Sequence, residues 1–342
     1  MGRPKAALRL LGGAPALIRP ERDFLRAEAL RAQGYFAKAS EVYRKLLARP
    51  PAADRALWLD CCLALASVHR SLGAVKPARR LWARGRSLMR TRGLSSYSER
   101  FELEDALIDR AAGLYPRSIG KLSRLLDRFR AERDWSAAGF VLWALGGARR
   151  FSGDLEGSRR DFSASLACAR RGGDAAGMAY ALFGLGGVLR IQGSFDRARA
   201  SYAEASRRLA RTDDVFGKAY AHCGLANVLR QKCLWSLAER HYNLAHKLYS
   251  SLGDAVDLAY VDWGLGQVHL RRGELKSAEK RFRLALAGFA AFDERRGEVL
   301  SEHSLAAVLH ALGRTAQAEA LFDRAVRRGR QAGLHAHLEI YT

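Results

Sequence analysis

Residues 182–205 read LFGLGGVLRIQGSFDRARASYAEA, and the glycine in this stretch at Gly193 recurs along the chain at intervals of forty residues or a multiple of forty. Cys233 fills one place in the series, and Gly34 continues it one residue out of register. A repeat of this length is typical of a solenoid, in which each unit buries its apolar face only against its neighbours. The series predicts eight copies of one unit, with turn positions at Gly34, Gly73, Gly113, Gly153, Gly193, Cys233, Gly273 and Gly313.

An apolar stripe follows each turn, at offsets of two, five and nine residues that trace one face of a helix. The position five after the turn is small in every copy, as two closely crossing helices require: Ala39, Ala78, Ser118, Ser158, Ala198, Ala238, Ala278 and Ala318. The position nine after the turn is large and apolar in every copy: Tyr43, Trp82, Leu122, Phe162, Tyr202, Tyr242, Phe282 and Phe322.

A second stripe precedes the turn, with leucine eight residues before it in five copies: Leu145, Leu185, Leu225, Leu265 and Leu305. Each unit is therefore predicted to be a helix, a glycine turn and a second helix. The loops between units carry acids, which suit the start of the next helix because a carboxylate there accepts free backbone N–H groups. These acids are Asp174, Asp214, Asp254 and Glu294.

One copy matches in full the pattern of leucine-glycine, turn glycine, aromatic, alanine and aromatic: Leu185, Gly186, Gly193, Phe195, Ala198, Tyr202 and Ala205. On these residues the chain resembles the tetratricopeptide repeat family, and similar matches run from Gly34 to Phe322. The forty-residue spacing and the Leu-Gly-Asp loop at 252–254 are most similar to the longer-repeat branch of kinesin light chains and Pins-type scaffolds. The resemblance implies an all-α fold, a right-handed α-solenoid of about eight helix-turn-helix repeats.

We expect one elongated domain over residues 20–330, since a solenoid of this length needs no second core. Residues 1–19 are expected to be an N-terminal segment outside the repeats, compatible with disorder. Residues 331–342 have the register of a ninth first helix that stops partway. They serve as a short cap, leave an apolar end that meets a partner or a second copy, or mark a piece of a longer chain.

The composition sets the class of partner. The formal charge is +23, from 58 Lys and Arg against 35 Asp and Glu, which favours anionic partners. No apolar run is long enough to span a bilayer, and Arg9 interrupts the apolar stretch that a secretory signal needs. The odd cysteine count and the lack of metal-type spacing predict a reducing, cytoplasmic setting. The cysteines are Cys61, Cys62, Cys168, Cys223 and Cys233.

Arginine forms a column three residues before the turn, in six of eight copies: Arg31, Arg70, Arg110, Arg150, Arg190 and Arg230. Two interpretations stand side by side. A basic residue in the last turn of a helix interacts favourably with the helix dipole, by a few tenths of a kcal/mol up to about one. Alternatively, the column binds carboxylates or phosphates, for which the bidentate guanidinium is suited.

Aromatic and amide side chains share the helical face of this column, because intervals of three and four return to one side of a helix. We take as candidate ligand-binding residues Asn227, Gln267, Trp143, Phe183, Trp263, Tyr180, Tyr220 and Tyr260, with Arg70, Arg110, Arg150, Arg190 and Arg230. The family resemblance implies that they line a concave groove for extended peptides. The tyrosines have a competing interpretation as packing residues at the seam between repeats.

The leading hypothesis is a non-enzymatic scaffold that binds an acidic, disordered protein segment in a basic groove. A variant makes the array the sensor part of a larger regulator. The rival hypothesis is single-stranded RNA binding, disfavoured because the arginines are regularly spaced rather than clustered in a tail. No membrane partner, cofactor or metal is expected.

Catalytic motifs find no support in the sequence. The stretch from Gly113 to Gly120 and Lys121 lacks the spacing of a phosphate-binding loop. The glycines at 184, 186 and 187 look like a dinucleotide fingerprint, yet Gly224 and Gly264 repeat them forty residues apart. We therefore interpret them as close-packing positions.

Overall fold

A computed structural model describes residues 19–48 and 54–333. Its helices follow the predicted alternation, and the predicted all-α helical repeat solenoid is confirmed. Every element of the described ranges is helical. In chain order they are α1 (Arg19–Ala32), α2 (Phe36–Leu47), α3 (Arg55–Ser71), α4 (Val75–Thr91), a 3-10 turn (Ser95–Tyr97), α5 (Ser98–Ala111), α6 (Tyr115–Ala131), α7 (Trp135–Ser152), α8 (Leu155–Arg171), α9 (Ala175–Ile191), α10 (Phe195–Leu209), α11 (Val215–Gln231), α12 (Trp235–Leu252), α13 (Ala255–Arg271), α14 (Leu275–Ala291), α15 (Arg295–Ala311) and α16 (Thr315–Gln331).

The chain divides into two compact units. In the first, residues 19–184 with Arg207–Gly217, consecutive helices from α1 to α8 pack on one another, and α3 also contacts α1 and α5. In the second, Leu185–Ser206 with residues 218–333, α12 to α16 pack consecutively, and α13 also contacts α15. Odd-numbered helices are thus the first helices of the repeats, and even-numbered helices are the second.

The turn glycines have the left-handed backbone that the repeat requires. Gly73, Gly193 and Gly273 all have φ of 75°, a conformation that costs a side chain roughly 1–2 kcal/mol. Cys233 has φ of 58° and so keeps the turn without glycine. The N–H of Gly113 donates to the carbonyl of Arg110 at 3.1 Å, so each arginine of the column ends its helix with its own carbonyl engaged in the turn.

The small column is buried throughout, with Ala318 the most exposed member at 5%. In two copies the small residue is a serine that donates back to the preceding helix, as Ser158 does to the Gly146 carbonyl at 2.6 Å. The large column is mostly core. Phe322 differs, at 46% exposure, and it lies on the last described helix. Trp82 is half-buried, and its indole N–H donates to the Phe101 carbonyl at 2.8 Å.

The helical glycines are close-packing positions, as expected. A Cβ on Gly184 would lie 2.2 Å from the ring of Phe162. A Cβ on Gly264 would lie 2.4 Å from the ring of Tyr242. Because glycine admits these rings against the helix backbone, the recurring glycines need no nucleotide to explain them.

The predicted acids cap the first helices. Asp174 accepts from the N–H of Gly177 at 2.9 Å, and Asp254 accepts from the N–H of Asp257 at 3.1 Å. The expected N-terminal segment lies outside the described residues except for Arg19, as does the partial ninth helix except for residues 331–333. Within the described ranges, no helix has the length and apolar character to cross a bilayer.

Candidate functional site

The first two arginines of the column are paired with carboxylates. Arg31 pairs with Glu28 on its own helix at 2.6 Å. Arg70 reaches the next first helix, where its Nε lies 3.0 Å from Oε1 of Glu104, and both side chains are mostly buried. Burial raises the pKa of Glu104, and the Arg70 guanidinium opposes that rise. Arg31 and Arg70 are therefore each paired with a carboxylate of the protein itself.

Arg110 has neutral partners instead. Its Nη1 lies 3.5 Å from the carbonyl oxygen of Ala144, and its guanidinium lies over the ring of Trp143 at 4.9 Å. A Cβ on Gly147 would lie 2.8 Å from Nη1, so this glycine makes room for the guanidinium. Burial, together with the like charges of Arg70 and Arg150, lowers the pKa of Arg110 to about 9. Arg110 is still cationic at neutral pH, and within the described ranges no carboxylate lies within 4.0 Å of it.

One position on the following repeat explains the difference between Arg70 and Arg110. Both arginines reach the residue thirty-four positions later, nine before the next turn. That residue is Glu104 for Arg70 and Ala144 for Arg110. In the later copies it is always small: Gly184, Gly224, Gly264 and Ser304. The carboxylate at 104 was the signal that sequence inspection missed.

In the second unit, two arginines of the column likewise have uncharged hydrogen-bond and aromatic partners. Arg190 is 8% exposed and donates to the side-chain oxygen of Gln231 at 3.3 Å. Arg230 is 6% exposed, donates to the hydroxyl of Tyr242 at 3.3 Å and lies over the ring of Trp263 at 5.3 Å. As for Arg110, no carboxylate of the described residues lies within 4.0 Å of either guanidinium.

The amide side chains complete this network in the second unit. Asn227 accepts from the hydroxyl of Tyr242 at 2.7 Å, which leaves Tyr242 able to accept from Arg230. Gln267 and Trp263 both donate to the Ser304 hydroxyl, at 2.8 and 3.1 Å. Trp263 is 5% exposed, so its ring packs against the Arg230 guanidinium and is not available as a solvent-exposed contact for a partner.

A row of aromatic rings runs along the face in the first unit. Phe140 lies 5.6 Å from Trp143, Trp143 lies 6.3 Å from Tyr180, and Tyr180 lies 5.6 Å from Phe183. Phe183 is buried, whereas Phe140 is 44% exposed. The row therefore has one end open to solvent, beside the indole that carries Arg110.

The tyrosines act at the seam between repeats. Tyr180 donates to Asp214 and Tyr260 to Glu294, both at 3.0 Å. Each of these acids also caps the next first helix. Tyr220 is half-buried at the equivalent position. The packing interpretation of the tyrosines is the one that these contacts support.

The structure thus brings the candidate residues together in two groups, one in each unit. Arg70, Arg110 and Arg150 lie close enough for their charges to interact, with Trp143 beside them. Among the described residues, no group of three or more His, Cys, Asp or Glu side chains is placed to hold a metal. Two shallow clefts, of about 460 and 480 Å³, are lined chiefly by the second helices α10 and α12 and do not include the arginine column.

Comparison with known proteins supports the fold. No protein-family model matches the chain, and no curated protein sequence matches it. Among solved structures it is similar to a Rap protein complexed with competence and sporulation factor, with a TM-score of 0.72, 12% identity, and coverage of 94% of this chain and 89% of that one. It is similar to the apo form of RapI, with a TM-score of 0.61, 12% identity, and coverage of 80% and 98%. A third is BtubC (BKLC) from P. vanneervenii, with a TM-score of 0.53, 24% identity, and coverage of 65% and 93%. These likenesses show that the chain has a TPR-like helical repeat fold.

Proposed function

We propose that this chain is a non-enzymatic scaffold that binds an acidic, extended protein segment on the arginine and aromatic face of its first helices. The observation that carries the proposal is that the guanidinium of Arg110 is largely enclosed by uncharged partners. The like charges of Arg70 and Arg150 act on Arg110, and Glu104 is paired with Arg70, so within the described ranges Arg110 itself has no carboxylate within 4.0 Å. A buried charge is costly without a counter-charge. An incoming carboxylate supplies one.

The surroundings of Arg110 favour a peptide that combines an acid with an apolar side chain. The guanidinium lies on one side of Trp143, and the half-exposed ring of Phe140 lies on another. A carboxylate that pairs with Arg110 therefore places a neighbouring apolar side chain within reach of Phe140. Such a pair of contacts gives both charge recognition and apolar burial.

Single-stranded nucleic acid fits this face less well. Base stacking needs aromatic rings with open faces. Here Trp263 and Phe183 are buried, and the hydroxyls of Tyr180 and Tyr260 are bonded to helix caps. Most aromatic side chains beside the arginine column are therefore already packed or hydrogen-bonded within the protein.

Other features support the same role. The Rap protein of similar fold was solved in a complex with competence and sporulation factor, so a repeat array of this kind can hold a partner. We further propose membership of the longer, forty-residue branch of the family, a cytoplasmic location in keeping with the cysteines, and self-association through the C-terminal end as a second contact.

The test is fluorescence anisotropy with labelled acidic peptides, each containing Asp or Glu beside an aromatic residue, and with labelled single-stranded RNA. The test variant is Arg110→Gln with Arg150→Gln. The matched control is Arg124→Gln with Arg130→Gln, which removes the same charge from exposed positions on α6. Measurements run at low and at physiological salt.

We expect at least about a tenfold loss of peptide affinity in the test variant, equivalent to about 1.4 kcal/mol. The control should stay within about twofold of wild type, since exposed charges act weakly at physiological salt. An equal loss in both variants, or RNA binding that needs Arg110, would contradict the proposal. Circular dichroism shows whether the test variant keeps its helices.

A further inference from the structure

Helix α4 carries a concentration of positive charge that the peptide-binding proposal does not use. Its sequence, VKPARRLWARGRSLMRT, has six basic residues and no acid among 17. At the average of 58 Lys and Arg in 342 residues, about three basic residues would be expected. The charge of the chain is therefore locally concentrated on this second helix.

Four of these side chains share one exposed face. Lys76, Arg80 and Arg84 follow one another at intervals of four, and Arg90 returns to the same side of the helix. All four are exposed. In the part of the chain that the structure describes, no carboxylate lies within 4.0 Å of their charged groups. The face is a row of accessible cations about 21 Å long at 1.5 Å per residue.

Two tryptophans hold neighbouring guanidinium groups in place. Arg84 lies over the ring of Trp58 at 4.8 Å, and Arg86 lies over the ring of Trp82 at 4.9 Å. Arg79 also lies over the ring of Trp82, and its guanidinium forms ion pairs with Asp105 and Asp109. The contact with Trp58 fixes the direction of Arg84, a member of the exposed face, so less conformational entropy is lost when Arg84 binds an anion.

The chemistry of the face selects among anionic partners. Helix α4 contributes no large exposed apolar side chain, whereas protein interfaces and membrane-bound helices both bury apolar anchors. Trp82 on α4 and Trp58 on the neighbouring α3 are both covered by arginine, so neither ring is open to stack an unpaired base. A partner recognised by charge alone fits this face.

We infer that the exposed face of α4 is a docking surface for the phosphate backbone of double-stranded nucleic acid, bound without sequence preference. A duplex carries one charge per about 1.7 Å of its axis. The length of α4 therefore spans enough phosphates for Lys76, Arg80, Arg84 and Arg90 each to contact one. The surface lies on a second helix, apart from the arginine column of the first helices.

The repeat provides a matched control for the test. Lys276 and Lys280 on α14 stand three and seven residues after their turn, the same offsets as Lys76 and Arg80, and they are also exposed. The test variant is Lys76→Gln with Arg80→Gln, and the control is Lys276→Gln with Lys280→Gln. Both lose two positive charges from the same positions of the repeat.

Binding is measured by fluorescence anisotropy with a labelled random-sequence duplex between about 50 and 200 mM salt. Four phosphate contacts predict that wild-type affinity falls about 150-fold across this range, and two remaining contacts predict about a 12-fold fall for the test variant. The control should follow wild type. The Arg110→Gln, Arg150→Gln variant should also bind duplex like wild type, which separates this result from the peptide-binding proposal.

Three outcomes would overturn the inference. One is the absence of duplex binding at about 50 mM salt. Another is an equal change in the test and control variants, which would assign binding to net charge alone. The third is competition by phosphatidylserine vesicles or a poly-glutamate peptide at the same phosphate or carboxylate concentration as unlabelled duplex.

Discussion

The hydroxyl of Tyr260 donates a 3.0 Å hydrogen bond to Oε2 of Glu294, the carboxylate that also accepts from the backbone N–H of Gly297. One acid thus caps α15 and receives a side chain from α13. Tyr180 and Asp214 make the same contact in the other unit. The bond joins one repeat to the helix start of the next, so it stabilises the seam as well as the cap.

Replacing Tyr260 by Phe should therefore lower the free energy of unfolding by about 1–2 kcal/mol, because a mostly buried hydrogen bond to a charged group is lost. Urea unfolding followed by circular dichroism measures the change. Tyr35→Phe is the control, since in the described ranges the Tyr35 hydroxyl has no hydrogen-bond partner. Equal stability of the two variants would argue against a role of the seam bond.

Asp257 should be a destabilising residue at neutral and alkaline pH. The equivalent position is glycine in Gly177, Gly217 and Gly297, whereas here a second carboxylate meets the helix cap Asp254. Burial and the charge of Asp254 raise the pKa of Asp257 well above its usual value. The unfolded chain releases this proton near pH 4, so stability falls as pH rises from there to the folded pKa and stays lower above it.

Asp257→Asn removes that penalty. We expect the variant to exceed wild type at pH 8 by an amount on the order of 1 kcal/mol, the usual scale of a single-site change. The difference should shrink toward pH 4. Thermal unfolding across this pH range is the measurement, and a constant or reversed difference would show that the two carboxyls do not oppose each other.

Substitutions at two helical glycines should distinguish an effect on core packing from an effect on peptide binding. Gly184→Ala places a Cβ 2.2 Å from the Phe162 ring, in a core that cannot yield, and should cost about 1–3 kcal/mol. Gly147→Ala meets the flexible end of Arg110 at 2.8 Å and should change stability much less. It should nevertheless weaken acidic-peptide binding, because it displaces the guanidinium. Melting temperature and anisotropy on both variants test this contrast.

The small residues five positions after each turn predict another effect of substitution on packing. Ala198 on α10 is fully buried, and Ala198→Leu should cost about 1–3 kcal/mol through overpacking. Ala200→Leu, on the exposed side of the same helix, is the control. An unchanged melting temperature for Ala198→Leu would contradict the repeat alignment itself.

The sequence was sufficient to predict helices, turns and the packed columns, because each repeats at fixed offsets from Gly193 and its equivalents. It did not predict the partners of the arginines. Arg70 and Arg110 occupy one column and are alike in sequence, yet one meets a carboxylate and the other a carbonyl. Periodicity assigns a residue to a face, but the contact depends on which side chain the next repeat presents at 104 or 144.

Glu104 therefore offers the most direct test of the arginine column. Glu104→Gln removes the carboxylate that neutralises Arg70 but keeps its shape. Stability should fall by about 1.5–3 kcal/mol, since the buried ion pair with Arg70 is lost and the amide N–H₂ of glutamine cannot accept the second of the two guanidinium hydrogen bonds. Acidic-peptide affinity should rise, because the guanidinium of Arg70 becomes available beside that of Arg110. If instead the arginines serve only the helix dipole, Glu104→Gln will lower stability and leave peptide affinity unchanged.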